Sequence, residues 1–441
     1  MFWHYQRTTF LKEYPSQISI SLDCRKRNQM KIAYLKCFYP ITNPIHIGLS
    51  DLTNRLSSFI IRTILYKLFV ILERGILTRM FKNFFATRWG IIGVGGLIGV
   101  LAALLQKLGN PGNMGICVAC FERDIAGAIG IHRAAVVQYM RPEIIGFVWG
   151  SLVAAYIFKE FRPRTGSAPI VRFVLGVFAM IGSLVFLGCP WRAMLRLAAG
   201  DGNAIFALFG LIGGIWIGTL FLKSGYNLGR VQKTYASAGW LLPLTMLGFL
   251  ILMLIFPQIK GEAKSGVLFY SLKGPGAMHA SLIISLAAGL AIGFIAQRSR
   301  FCTMGAFRDL ILFRQVHLLS GVIALVVTAF IVNLIVGQFH PGFARQPMAH
   351  TMEIWNFGGM VLSGLAFSLA GGCPGRQLFL AGEGDGDAAV FVLGMIVGAG
   401  FAHNFGLASS PKGVGPHGIA AVIIGLIVCL FIGFTMRKRV S

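Results

Sequence analysis

Runs of about 18 apolar residues recur along this chain, separated by short polar segments, and that is the length that crosses a hydrocarbon core roughly 30 Å thick. Ten such runs lie near 89–105, 144–159, 170–187, 203–222, 240–257, 280–296, 317–337, 355–371, 388–405 and 417–435. Each is expected to form a membrane-spanning helix. Several are short or broken by glycine, so short re-entrant or interrupted helices are expected beside them. The polar positions carry an order of their own. Lys159, Arg162 and Arg164 follow the second run, Lys223, Arg230 and Lys233 the fourth, Arg298 and Arg300 the sixth, and Arg437, Lys438 and Arg439 the tenth. Basic loops stay on the cytoplasmic side, which places both chain ends in the cytoplasm.

Composition supports the same class. Of 441 residues, 56% are hydrophobic and 12% charged, with a mean hydropathy of +0.73, whereas a soluble domain carries about 25% charged residues. The expected fold is an all-α polytopic membrane protein. A net charge of +25 raises the question of nucleic acid. The basic residues, however, sit in short loops between apolar runs, and no basic stripe with interleaved aromatics is present. The 56 glycines fall mostly inside the apolar runs, where small residues let membrane helices approach closely. The first 79 residues depart from this pattern. They hold two glycines, Gly48 and Gly75, with 12 Lys+Arg against 4 Asp+Glu. Residues 1–79 therefore read as an atypical basic leader, an extended start, with the functional chain expected to begin near Met80.

The chain is duplicated. "GCPWRAMLRLAAGDGNA" at 188–204 and "GCPGRQLFLAGEGDGDA" at 372–388 share eight of 17 positions. Cys189, Pro190 and Arg192 match Cys373, Pro374 and Arg376, and Asp201 and Asp385 each lie 12 residues after the cysteine. A second pair, "GICVACFERDI" and "RFCTMGAFRDL", aligns Cys117, Arg123 and Asp124 with Cys302, Arg308 and Asp309. The shifts are 185 and 184 residues, and two motifs at one offset identify a repeat. Residues 80–260 and 261–441 are the expected repeats. Five spans in each is an odd number, so the second copy is turned over in the membrane. Two inverted five-span repeats about a pseudo-twofold axis are a layout of secondary transporters.

These motifs suit an anion. Proline fits the first turn of a helix, so Pro190 and Pro374 would open half-helices capped by Cys189 and Cys373. Free N–H groups at such ends, and the positive end of the helix dipole, favour negative charge. Arg192 and Arg376 would add fixed positive charge near the mouth. Arg123–Asp124 and Arg308–Asp309 are expected to pair locally or across motifs, since buried charge is costly unless paired. Asp201 and Asp385 would pin loops by capping or salt bridging. Cys120 has no counterpart in the second half, and Cys117-Val-Ala-Cys120 is either an auxiliary thiol or a redox pair. Cys429 reads as a packing residue. The histidines are scattered, so no metal site is expected, and no cofactor.

At these residues the chain resembles the YeeE/YedE family of bacterial membrane proteins, the thiosulfate-transporter (sulfur transport domain) family. "GNMGICVACFERDIAGAIGIHRAAVVQYMRPEIIGFVWGS" and "FLGCPWRAMLRLAAGDGNA" are similar in particular to the YedE-type branch, which is associated with selenium transport. The likeness covers residues 80–441. It implies a bacterial inner (plasma) membrane location and an anion path lined by Cys117, Cys189, Cys302 and Cys373. It also implies a possible partner, a small cytoplasmic sulfur carrier of the TusA type. Cys120 and the leader lie outside the family pattern.

The function expected from this reading is transport, without catalysis, of a small selenium-containing anion along a cysteine-lined path. Thiosulfate or another sulfur anion is the alternative substrate. A second alternative is a membrane thiol relay that passes sulfur or selenium from a Cys117/Cys120 persulfide to a cytoplasmic carrier. A third is a pore for a neutral species. No phosphate-binding loop of the nucleotide-driven type occurs.

Overall fold

A computed structural model describes residues 84–437. The leader 1–79, the start at Met80 and the final Lys438 and Arg439 lie outside the described residues. Seven helices come first: α1 (Arg88–Lys107), α2 (Val118–Ala128), α3 (Pro142–Ile157), α4 (Pro169–Phe186), α5 (Pro190–Ala198), α6 (Asn203–Lys223) and α7 (Ala236–Ile255). The order then recurs as α8 (Leu282–Ser299), α9 (Thr303–Phe313), α10 (His317–Ile335), α11 (Glu353–Ala370), α12 (Pro374–Gly382), α13 (Gly386–Asn404) and α14 (Gly418–Thr435). Two pairs of two-residue strands, Arg164–Thr165 with Gln232–Lys233 and Lys264–Ser265 with Leu268–Phe269, are both antiparallel and lie in loops.

All ten expected spans are helices. Among the described residues, nine helical stretches are long and apolar enough to cross a membrane. The remaining span, α3, has 16 residues. The protein is an all-α, multi-pass membrane protein. The other four helices, α2, α5, α9 and α12, have 11, 9, 11 and 9 residues, which is about half a bilayer at 1.5 Å per residue. α5 and α12 start at Pro190 and Pro374, and each preceding span ends in a left-handed residue, Leu187 (φ 65°) or Gly371 (φ 86°). Glycine takes that conformation freely, whereas a bulky leucine is an outlier there.

The repeats interlock. α1 packs along α10, α3 along α8, α4 along α13 and α6 along α11, and in each pair the partner comes from the other repeat. These pairs run parallel: Gly146 and Gly150 meet Gly289 and Leu290, and Gly210 and Gly214 meet Phe357 and Val361. The equivalent helices α4 and α11 cross each other in opposite directions. The Ser363 hydroxyl donates to the Ala179 carbonyl at 3.1 Å and lies 3.2 Å from the Ser183 hydroxyl, while Gly359 faces Gly182 and Val185. Equivalent helices running antiparallel are what an inverted repeat requires.

Backbones touch at these crossings because the side chains are missing. A Cβ at Gly146 would lie 2.7 Å from the Gly289 carbonyl carbon and the Leu290 nitrogen, and neither backbone atom can move aside. Gly146→Leu is therefore expected to destabilise the protein by about 1–3 kcal/mol or more. The check is a lowered thermal midpoint in detergent, with Gly93→Leu, where open space surrounds the glycine, close to the unchanged protein.

Candidate functional site

Each of the four motif cysteines is the N-cap of a half-helix. The Cys120 backbone N–H donates to the Cys117 sulfur at 3.4 Å, and the Gly305 N–H donates to the Cys302 sulfur at 3.2 Å. These bonds satisfy one of the N–H groups that a helix start leaves open. At Cys189 and Cys373 no side-chain cap bond forms, and proline fills the first turn instead. The four thiols gather into two pairs. The Cys117 thiol lies 3.8 Å from Cys189, and the Cys302 thiol 3.7 Å from Cys373. All four are buried and free. Because α4 leads to Cys189, α11 leads to Cys373 and the two helices run oppositely, the pairs approach the centre of the bundle from opposite sides.

The charges around the two pairs differ. Arg192 is fully buried beside the first pair. Its guanidinium donates to the carbonyls of Asn113 (3.3 Å), Pro347 (3.3 Å), Met348 (3.0 Å) and Leu187, and to the Cys120 sulfur (3.9 Å). The left-handed turn at Leu187 aims that carbonyl at both Arg192 and the Cys120 thiol. Carbonyls satisfy the N–H groups but do not cancel the charge, and no carboxylate forms an ion pair with Arg192 among the described residues. Arg192 is thus deep inside, not near a mouth as expected. Its counterpart Arg376 is paired with Glu383 at 3.2 Å. Glu383 also binds Arg300 at 2.8 Å, and Arg300 and Arg298 bind Glu160 at 2.9 and 2.7 Å. The second thiol pair therefore lies beside an arginine that meets a carboxylate, and the first beside an arginine that meets only carbonyls and sulfur.

The remaining expected residues act in the scaffold. Arg123 binds Asp124 at 2.7 Å, and Arg141 grips the other oxygen of that carboxylate at 2.6 Å. Arg308 pairs with Asp309 at 2.8 Å, in a partly exposed position. Asp201 holds Arg196 at 2.6 Å and the Asn203 side chain at 2.8 Å. Asp385 caps α13 through the Ala388 N–H at 3.0 Å and binds Arg164 at 2.7 Å. The two Gly-Asp-Gly loops bridge crosswise, Asp201 to Gly342 and Asp385 to Arg164, each to a loop of the opposite repeat.

Three features were not singled out from the sequence. Glu122, on α2, is fully buried with neither carboxylate oxygen partnered. Its repeat position is Phe307, so the mismatch was visible in the alignment. The Glu160–Glu383 network joins residues far apart in the chain. Trp191 is the third. Its ring is fully buried between Phe147, Phe301 and Phe379, with centroids at 5.9, 5.7 and 6.1 Å. It lies against Gly375, where a Cβ would sit 2.9 Å from the ring. Trp191 follows Cys189 by two residues, Gly375 follows Cys373 by two, and Phe301 precedes Cys302, so the indole stands where the starts of the half-helices of both repeats converge.

Residues 298–431 match the family model described as Sulphur transport. The matched segment contains Cys302, Cys373, Pro374, Arg376 and Glu383. No curated protein matches the chain.

The Glu160 network gives a pH prediction. Burial pushes the Glu160 carboxyl up, but Arg298 and Arg300 outweigh it and hold the group below its ordinary range. A carboxyl depressed in the folded state stabilises it above the unfolded value, about 4.3, and that contribution fades as pH falls through the folded value. Glu160→Gln is expected to lower the thermal midpoint at pH 7 and to narrow the drop between about pH 5 and pH 3 relative to the unchanged protein. Midpoints measured at pH 7 and across that range check both.

Proposed function

We propose that the protein carries a small sulfur oxyanion of the thiosulfate class across the bacterial inner membrane, handed from the Cys117/Cys189 pair to the Cys302/Cys373 pair. The observation that carries this reading is the arrangement of the thiols: two buried pairs, one in each repeat, each at the N-termini of two half-helices. Helix starts favour anions, and a thiol donates a weak hydrogen bond suited to a soft sulfur atom. Arg192 supplies the long-range attraction, since its buried charge is uncompensated. The match of 298–431 to a Sulphur transport model supports the same class of cargo.

Each residue has a role on this reading. Cys117 and Cys189 receive the anion in the positively charged half. Arg192, fixed by carbonyls, acts at a distance and keeps its bonds while the anion passes. Cys302 and Cys373 offer the next site, where the ion pair with Glu383 weakens the pull of Arg376 and the anion is held less tightly, which favours release. With the basic loops inside, the Cys302/Cys373 end is cytoplasmic, both termini are cytoplasmic, and the flow is inward. The resemblance adds a TusA-type carrier as the acceptor there. A selenium oxyanion would use the same donors, and the resemblance to the YedE-type branch favours it as a second cargo.

Uptake of radiolabelled thiosulfate into proteoliposomes, with selenite as competitor, tests the reading. Serine at any one of the four paired cysteines is expected to cut uptake by about tenfold, equivalent to ~1.4 kcal/mol, in both repeats alike. Arg192→Met is expected to weaken apparent affinity more than Arg376→Met does. Dependence on a single thiol would replace transport by a relay enzyme. Competition by selenite at concentrations well below thiosulfate would make selenium the cargo. Insensitivity to Arg192→Met would favour a neutral species.

A further inference from the structure

Trp191 stands between the thiol pairs, and its indole nitrogen is a buried donor without an acceptor. Tryptophan usually finds a partner for its N–H when buried, and an unpaired buried donor costs about 1–3 kcal/mol. Packing alone would be served by phenylalanine, the residue on the three surrounding faces, Phe147, Phe301 and Phe379. The repeat makes the choice more pointed. The equivalent position is Gly375, and the space it leaves is filled by the Trp191 ring. A single indole thus occupies the centre that two symmetric side chains would otherwise share.

We infer that the Trp191 indole N–H is an anion-binding group at the midpoint of the path, donating to a sulfur or selenium oxyanion as it moves between the two thiol pairs. The inference rests on the transport reading above and adds a third station to it. The aromatic cage excludes water, so an anion leaving Cys117 and Cys189 must shed its last hydration there, and one strong donor in a dry site offsets part of that loss. The ring fills the centre against Gly375, so its N–H lies on the line between the two thiol pairs. A thiol is a weak donor, and an indole N–H is a stronger one that prefers oxygen. An oxyanion with a terminal sulfur can therefore engage thiols by one end and the indole by the other.

The test replaces Trp191 by 3-benzothienylalanine, which keeps the bicyclic ring and substitutes sulfur for the N–H, beside the simpler Trp191→Phe. Both are reconstituted as the full chain into liposomes, and initial uptake of radiolabelled thiosulfate is measured over a concentration series. The expected result is about a tenfold loss of uptake at low thiosulfate for the benzothienyl protein, with an unchanged elution profile and thermal midpoint in detergent. Uptake by the benzothienyl protein equal to that of the unchanged protein overturns the inference and leaves transport standing. Absence of uptake by the unchanged protein, relative to empty liposomes, overturns the transport reading and the inference with it. If Trp191→Phe loses its fold, the benzothienyl protein alone decides.

Discussion

The crossing of α4 and α11 at Gly182 and Gly359 is the contact on which the other elements depend. Both helices end in a left-handed residue and then restart as a half-helix at Pro190 or Pro374. Backbone polar groups released at such breaks are tolerable at membrane depth only where protein surrounds them. That enclosure comes from the spans packed by glycine at backbone distance, α3 with α8, α1 with α10, α6 with α11 and α4 with α13. Close crossings therefore hold thiols, arginines and carboxylates away from lipid, and the interior can carry chemistry that an isolated span could not.

Inside that enclosure, symmetry fixes placement and asymmetry fixes character. The duplicated cysteines occupy equivalent caps and form two pairs of nearly equal spacing, 3.8 and 3.7 Å. The charges do not follow. Glu383 neutralises Arg376, and its repeat position in the first half is Ala199, so Arg192 has no carboxylate to meet. Phe307 stands opposite Glu122, and Gly375 opposite Trp191. A path built from two copies of one motif thus has one half whose motif arginine meets no carboxylate, one half whose motif arginine is paired, and a unique residue between them.

The spans were legible in the sequence because burial in lipid demands long apolar runs, and all ten became helices with ends shifted by a few residues. The caps at Cys189 and Cys373 were legible because proline can open a helix but cannot continue one. The local pairs Arg123–Asp124 and Arg308–Asp309, and the loop roles of Asp201 and Asp385, followed from the cost of unpaired charge. What was not legible is which partner each charge meets. Arg192 and Arg376 have identical motif neighbours, and only the fold brings Glu383 to one and backbone carbonyls to the other. Glu122 and Trp191 are mismatches between the repeats, aligned with Phe307 and Gly375, but their burial without polar partners is a product of the fold.

The interlocked pairing has a consequence for how the chain is made. Of the close parallel pairs, every one joins a helix of the first repeat to a helix of the second. When α1 to α7 have entered the bilayer, their glycine-lined faces have no partners, and Arg192 on α5 lacks the Pro347 and Met348 carbonyls that accept from it. The first half is a template awaiting completion. Its close-packed faces are covered by the second half, so neither copy alone supplies the contacts that the two make together.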